Sequence, residues 1–277
     1  LKFFIKLLNW ELVRFSKLYG ALALLLVVSQ FVGIWLTVQS YLSDAHAWVD
    51  RNGGTEAQYA ENFQKLNLIN IFHSVWYEGA ISLCAIVLLL YVFMIWYKEW
   101  FGRNTFAYRL LMLPTSRMNV YFAKLSAIVL FVFGYVSLQF VVIPLQLASF
   151  LAIIPAELRV TVSIGELIRR DPLLNLFMPS YVMQFILYYG AGILGVFVLF
   201  TAILLERSYR WKGIVAGILY GAAVLIVIIL PQEISQLGIT LPLFPSEIVL
   251  LQVFIGLCMI AVSIGFSSYL LRKKVTV

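Results

Sequence analysis

The stretch GAISLCAIVLLLYVFMIWY, residues 79–97, contains no Lys, Arg, Asp, Glu or His. A helix needs roughly 20 apolar residues to cross a hydrocarbon core about 30 Å thick, and this run supplies them. It ends in Trp96-Tyr97-Lys98, the aromatic and basic residues that favour a membrane–water boundary. Its apolar character is continuous, not alternating, which excludes a strand of a membrane β-barrel. Upstream, His73 and Glu78 are the only charged types between Leu66 and Tyr97. One helix over that length would reach about 48 Å at 1.5 Å per residue. Its far end is therefore expected to protrude, with Glu78 roughly 30 Å from Lys98 and close to the opposite boundary.

Comparable runs recur along the chain and predict six spans, near 20–41, 74–97, 120–143, 178–204, 213–230 and 247–270. The composition agrees: 62% of the 277 residues are hydrophobic and 12% charged, with mean hydropathy +0.95. Soluble domains carry about 45–50% apolar and about 25% charged residues, so a soluble reading fails. The expected fold class is all-α, a polytopic membrane protein forming a single transmembrane domain over residues 1–277.

The net charge of +7 suggests a nucleic-acid partner until its distribution is considered. With six spans, one side collects Lys2, Lys6, Arg14, Lys17, Lys98, Arg103, Arg109, Arg117, Lys124, Arg207, Arg210, Lys212, Arg272, Lys273 and Lys274, against Glu11, Glu99 and Glu206 alone. The other side holds Arg51, Lys65, Arg159, Arg169 and Arg170 and all the remaining acids. Basic residues near span ends mark the cytoplasmic side, so both termini are expected there. The basic surplus reads as topology and attraction to anionic lipid, and no nucleic-acid partner is expected.

Residues 1–19 read as an amphipathic helix lying in the interface, with Lys2, Lys6 and Lys17 opposite Phe4, Leu7, Leu8 and Phe15. Glu11 and Arg14 fall near its apolar side, three apart and able to pair; they serve either as a snorkelling pair or as a docking point. No cleavable signal peptide is expected, because the first apolar run is full length and follows this charged segment. Arg51-Asn52-Gly53-Gly54 reads as a turn, and Thr55-Glu56-Ala57-Gln58 as a capping box that opens a short helix. Pro144 should kink or end span three. Residues 157–175 read as an outer amphipathic helix bounded by Asp171-Pro172. Gly213, Gly217 and Gly221 share one face of span five and admit close helix packing, either within the chain or at a subunit interface. The link from Pro231 to span six is short and apolar.

Chemistry-bearing motifs are sparse. The sequence holds no P-loop, no His-Glu-x-x-His, no paired-Cys motif and no Gly-x-Ser-x-Gly. Cys84 and Cys258 fall inside spans and read as small core residues; His46 and His73 have no metal-ligand spacing. No catalytic residue, metal or cofactor is expected in this chain. Few acids lie in span centres, which disfavours a proton- or ion-coupled carrier. Polar candidates for a path through the membrane are Glu78, Gln139, Gln184 and Tyr188, although each can also satisfy helix contacts.

Residues 98–117 stand apart. Asn104 or Thr105 can cap a helix from Phe106 that Pro114 stops, with Thr115 or Ser116 capping span three. Phe106, Leu110 and Leu113 form a stripe with Arg109 beside it. A helix of about two turns is marginal alone, so it packs on something: the lipid interface or a groove on a cytoplasmic partner.

The string Gly102-Arg103-Asn104-Thr105, then Arg109-Leu110-Leu111-Met112-Leu113-Pro114-Thr115-Ser116-Arg117 and, seven on, Lys124 resembles the first cytoplasmic loop of ABC-2 type transporter permeases. That loop commonly carries Leu-Pro-x-Ser-Arg and a Lys at the start of span three. The resemblance implies a non-enzymatic permease in a bacterial cytoplasmic membrane, with ATP and Mg held by a separate ABC ATPase subunit. It implies a coupling helix made by Arg103, Thr105, Phe106, Arg109, Leu110, Leu113, Pro114 and Arg117, and a second permease chain, same or related, meeting this one at spans one and five. The exported substrate would be a peptide, an antibiotic, a lipid or another amphipathic molecule. Two other classes remain beside it: an ion-coupled carrier, and a non-transporting membrane sensor or immunity component.

Overall fold

The computed structural model describes residues 2–100, 116–236 and 244–274. Among them are ten helices: α1 (Lys2–Asn52), α2 (Glu56–Phe63), α3 (Leu68–Phe72), α4 (Val75–Trp100), α5 (Arg117–Ile153), α6 (Ile164–Arg170), α7 (Pro172–Phe177), α8 (Val182–Tyr209), α9 (Trp211–Gln236) and α10 (Pro245–Lys273). Strand pairing among the described residues is limited to one isolated bridge, Leu66 to Arg159. Helices α1, α4, α5, α8, α9 and α10 are each long and apolar enough to cross a membrane. The chain is a polytopic helical membrane protein.

The boundaries refine the expectations in physically interpretable ways. The helix expected over residues 1–19 and the first span are one continuous helix. At 1.5 Å per residue it runs about 76 Å, far beyond a hydrocarbon core of about 30 Å. Gly53 ends it at φ +64, a left-handed conformation that glycine adopts without a Cβ penalty. The capping box forms as read: Thr55 Oγ1 accepts from Gln58 N at 3.4 Å, and Gln58 Oε1 accepts from Thr55 N at 3.1 Å. The single helix expected from Leu66 onward is instead divided at His73-Ser74, giving α3 and α4. The Asn67 carboxamide caps α3 by accepting from Ile69 N at 3.1 Å. Helix α5 does not stop at Pro144 but continues to Ile153, since proline's lost hydrogen bond is tolerated where membrane helices cover the gap. Span four begins at Val182 and not near 178, because Pro179 and the extended Tyr181 precede the first helical turn.

The chain forms two compact units. The first comprises Leu1–Val13, Leu89–Val129 and Tyr181–Val277, the second Arg14–Leu88 and Leu130–Ser180. In the second, Ile34, Val38, Phe72, Tyr77, Ile143, Phe150 and Leu158 are buried in one core. Tyr19 packs on Tyr135 at 4.4 Å and on Phe131 at 4.9 Å. The segment expected as one outer amphipathic helix is two short helices meeting at Asp171. That residue ends α6, and its carboxylate caps α7 by accepting from Leu174 N at 2.7 Å. Their apolar faces do not lie on a leaflet: Leu167, Leu174 and Met178 are part of the protein core.

In the first unit, α8 packs with α9 and α10. The Thr201 and Ser267 hydroxyls lie 3.0 Å apart and those of Tyr220 and Ser263 2.6 Å apart, linking these three helices through hydroxyl groups. Hydroxyl pairs of this kind stabilise membrane helix contacts modestly. The outward residues of α9 and α10, such as Ile218, Leu219, Phe254 and Leu257, are exposed and apolar, as lipid-facing surfaces are.

Candidate functional site

Lys124 lies two turns into α5, on a face it shares with the buried Val120, Tyr121, Ala127 and Ile128. An ammonium on an apolar helix face must be compensated, because desolvating an ion costs several kcal/mol, roughly, even after relaxation. Here the compensation comes from a carboxylate, a carbonyl and an aromatic ring. Lys124 Nζ donates to Glu11 Oε1 at 2.6 Å and to the Ile95 carbonyl at 2.8 Å, and lies 5.4 Å from the Trp96 ring centroid. The two side chains of the ion pair are 0% and 4% exposed. One amino group thus ties α1, α4 and α5 together.

Aromatic residues exclude water from this point. Trp96 meets Phe200 edge-on at 5.4 Å, Tyr121 meets Phe200 at 5.4 Å and Phe197 at 6.1 Å. In such a low-dielectric enclosure the pair attracts strongly, and loss of either partner leaves a buried charge without its counter-ion.

Two further contacts sit close to the same helix ends. The Tyr97 hydroxyl donates to Glu206 Oε2, and the Arg207 guanidinium lies 5.0 Å from the Tyr97 ring, tying α4 to α8. Arg117 Nη1 donates to the Leu271 carbonyl, tying α5 to α10. Ser116, one of two caps expected for span three, is the cap observed: its Oγ accepts from Met118 N at 3.3 Å. Both stems of the 101–115 segment are therefore fastened to other helices of the first unit.

The expected site residues fall out as follows. Arg103, Thr105, Phe106, Arg109, Leu110, Leu113 and Pro114 lie outside the described residues, while Arg117 holds the α5–α10 contact. Glu11 is buried and Arg14, one turn on, is half-buried. The faces of Gly213, Gly217 and Gly221 are turned to α8: a Cβ at 213 would collide with the Leu205 carbonyl, one at 217 would stand 3.1 Å from Ala202 Cβ, and one at 221 would be 3.8 Å from Val198 Cγ1. Within the chain, this face is already used. Glu78 pairs with His73 at 3.1 Å, both side chains being more than two-fifths exposed. Gln184 Nε2 donates to the Tyr188 hydroxyl at 3.0 Å. Gln139 is buried, and neither end of its amide has a partner among the described residues. No three His, Cys, Asp or Glu side chains come together among the described residues.

The Glu11–Lys124 pair was not assembled from the sequence, although a signal existed. Glu11 and Lys124 are opposite charges, each on the apolar face of its own helix, and two such misfits on separate helices solve one another's desolvation problem. Compared with protein-family models, curated proteins and solved structures, the chain matches none.

Proposed function

We propose that this chain is the membrane-spanning subunit of an ABC-2 type transporter, exporting an amphipathic substrate with energy from ATP hydrolysed on a separate ATPase subunit. The loop signature Leu113-Pro114-Thr115-Ser116-Arg117 followed by Lys124 motivates the family. The observation that carries the mechanism is the three-helix fastening at Lys124, just behind that loop. A loop pushed by a partner moves the membrane domain only if its stems are rigidly joined to other helices. Lys124, Tyr97 and Arg117 make those joints, to α1, α8 and α10 respectively.

In this scheme ATP binding and hydrolysis on the partner displace residues 98–117. Arg109, Leu110 and Leu113 form the contact with the ATPase, and Arg103 anchors the loop to headgroups or to acidic residues of the partner. The stems pass the displacement to α1, α8 and α10, and a second permease chain, same or related, completes the path. The basic residues of this side face the cytoplasm in a bacterial inner membrane.

Purification of the chain from its native membrane is expected to retain an ABC ATPase. Arg109→Glu should reduce that copurification and the permease-stimulated ATP hydrolysis by at least about tenfold, as loss of a charged anchor does at interfaces, while the permease still folds. Coupling that survives both Arg109→Glu and Leu110→Asp would exclude this loop as the point of contact.

A further inference from the structure

An open cleft of about 330 Å³ lies in the first unit, where α5 begins and α10 ends. Ser116, Arg117, Met118, Leu271 and Arg272 line it, so its wall carries cationic, hydroxyl and apolar groups together. Arg117 is half-buried, and its Nη1 donates to the Leu271 carbonyl, one of those that a helix end leaves without a donor of its own. Arg272 is exposed and makes no ion pair among the described residues. The Ser116 hydroxyl accepts from Met118 N at 3.3 Å, which leaves its proton to donate.

Arginines at span ends ordinarily snorkel outward to the headgroups. Arg117 instead reaches sideways to a neighbouring helix, which fixes its guanidinium in the cleft wall. Arg272 brings a second guanidinium to the same cleft. On this side of α5, α8, α9 and α10, the one carboxylate among the described residues is Glu206, which accepts from the Tyr97 hydroxyl. Arg207, Arg210, Lys212, Lys273 and Lys274 stand on the same helix ends, so the field at the cleft favours an anion. Paired N–H donors make guanidinium groups suited to phosphate. The depth of the cleft points to lipid as the carrier of that phosphate. Tyr209 and Tyr269, both more than two-fifths exposed, end α8 and α10 where tyrosines mark the headgroup level. Met118 and Leu271 add apolar lining that a glycerol ester can cover and a free phosphate cannot.

We propose that the α5–α10 cleft binds the headgroup phosphate of an anionic phospholipid. Arg117 and Arg272 hold its oxygens, the Ser116 hydroxyl donates a further hydrogen bond, and the glycerol ester lies against Met118. The surrounding cations repel a choline group, so a headgroup with net negative charge is preferred over a zwitterionic one. The site stands independently of the transporter reading.

The test uses the full chain in phosphatidylcholine nanodiscs and, as probe, a phosphatidylglycerol with a diazirine at the top of one acyl chain. Photolabelling followed by peptide mapping should place adducts on Ser116–Val120 and Leu270–Lys274. Unlabelled phosphatidylglycerol should compete, whereas further phosphatidylcholine and added inorganic phosphate should not. Arg272→Gln should lower labelling about tenfold, the scale of one charge-assisted hydrogen bond, and Arg272→Lys should restore part of it. Lys273→Gln removes the same charge from a side chain that lies 5.5 Å from the Tyr269 ring centroid and outside the cleft lining, so its effect should be far smaller. Equal losses in Arg272→Gln and Lys273→Gln would reduce the binding to the general attraction of a basic surface. Competition by inorganic phosphate would make the guest a free anion. Adducts confined to other segments, or an acidic protein segment crosslinked at these residues in place of lipid, would give the cleft to another occupant. Each of these results would overturn the proposal.

Discussion

Lys124 and Gln139 lie fifteen residues apart on one helix, α5, and both are buried. Lys124 carries a full charge and is held by a carboxylate, a carbonyl and an aromatic face. Gln139 carries none, and its amide has no hydrogen-bond partner among the described residues. The more expensive group is the one given partners. Burying an ion requires every proton to be placed, which fixes the surrounding helices. A neutral amide can be left unbonded at a smaller cost and fixes nothing around it. Satisfied polar burial marks a joint.

The joint supplies the largest test of this contrast. Lys124→Met leaves the Glu11 carboxylate buried without its ammonium, so stability should fall by about 3–5 kcal/mol, read from unfolding in mixed SDS micelles. Glu11→Leu should cost a similar amount. The double variant, with both charges replaced by apolar side chains, should recover most of the loss, because an apolar contact of similar volume often matches a buried ion pair. Additive losses in the double variant would show that the two residues act separately and would dissolve the joint. In the transporter reading, the double variant should fold yet transmit poorly, so ATP hydrolysis would persist while export fell.

What the sequence made legible follows the range of the interactions. Span existence is a local property, set by runs of about 20 apolar residues, and all six long helices appear where such runs stand. The Thr55 capping box and the Asp171-Pro172 boundary are likewise local. The extension of α5 through Pro144 was not legible, since proline's effect depends on what covers its missing donor. The inward packing of α6 and α7 depends on which surface takes their apolar faces, and helical periodicity alone leaves that open. The Glu11–Lys124 pair spans 113 positions. Glu11 reads as falling on the apolar side of its helix and Lys124 as a basic residue at the start of span three, and only the tertiary fold brings them together.

An intermediate case sharpens the contrast. Gln146 Nε2 donates to Gln30 Oε1 at 2.9 Å between α5 and α1, with both side chains buried. Gln30 Nε2 and Gln146 Oε1 have no hydrogen-bond partner among the described residues. The pair is half satisfied, so it should fall between the other two. Gln146→Leu should destabilise by about 1 kcal/mol, near the modest values found for hydrogen bonds between membrane helices. A loss as large as that of Lys124→Met would mean that these glutamines, and not the ion pair, hold α5 in place.

The smallest expected effect belongs to Gln139 and has the opposite sign. Gln139→Leu removes a buried amide that has no hydrogen-bond partner among the described residues and replaces it with an apolar side chain of similar size. Nothing favourable is lost, and the desolvation cost of the amide disappears. In lipid nanodiscs the variant should therefore match the parent or gain up to about 1 kcal/mol. A clear loss of stability would instead show that Gln139 is already bonded, placing it with Lys124 among the joints.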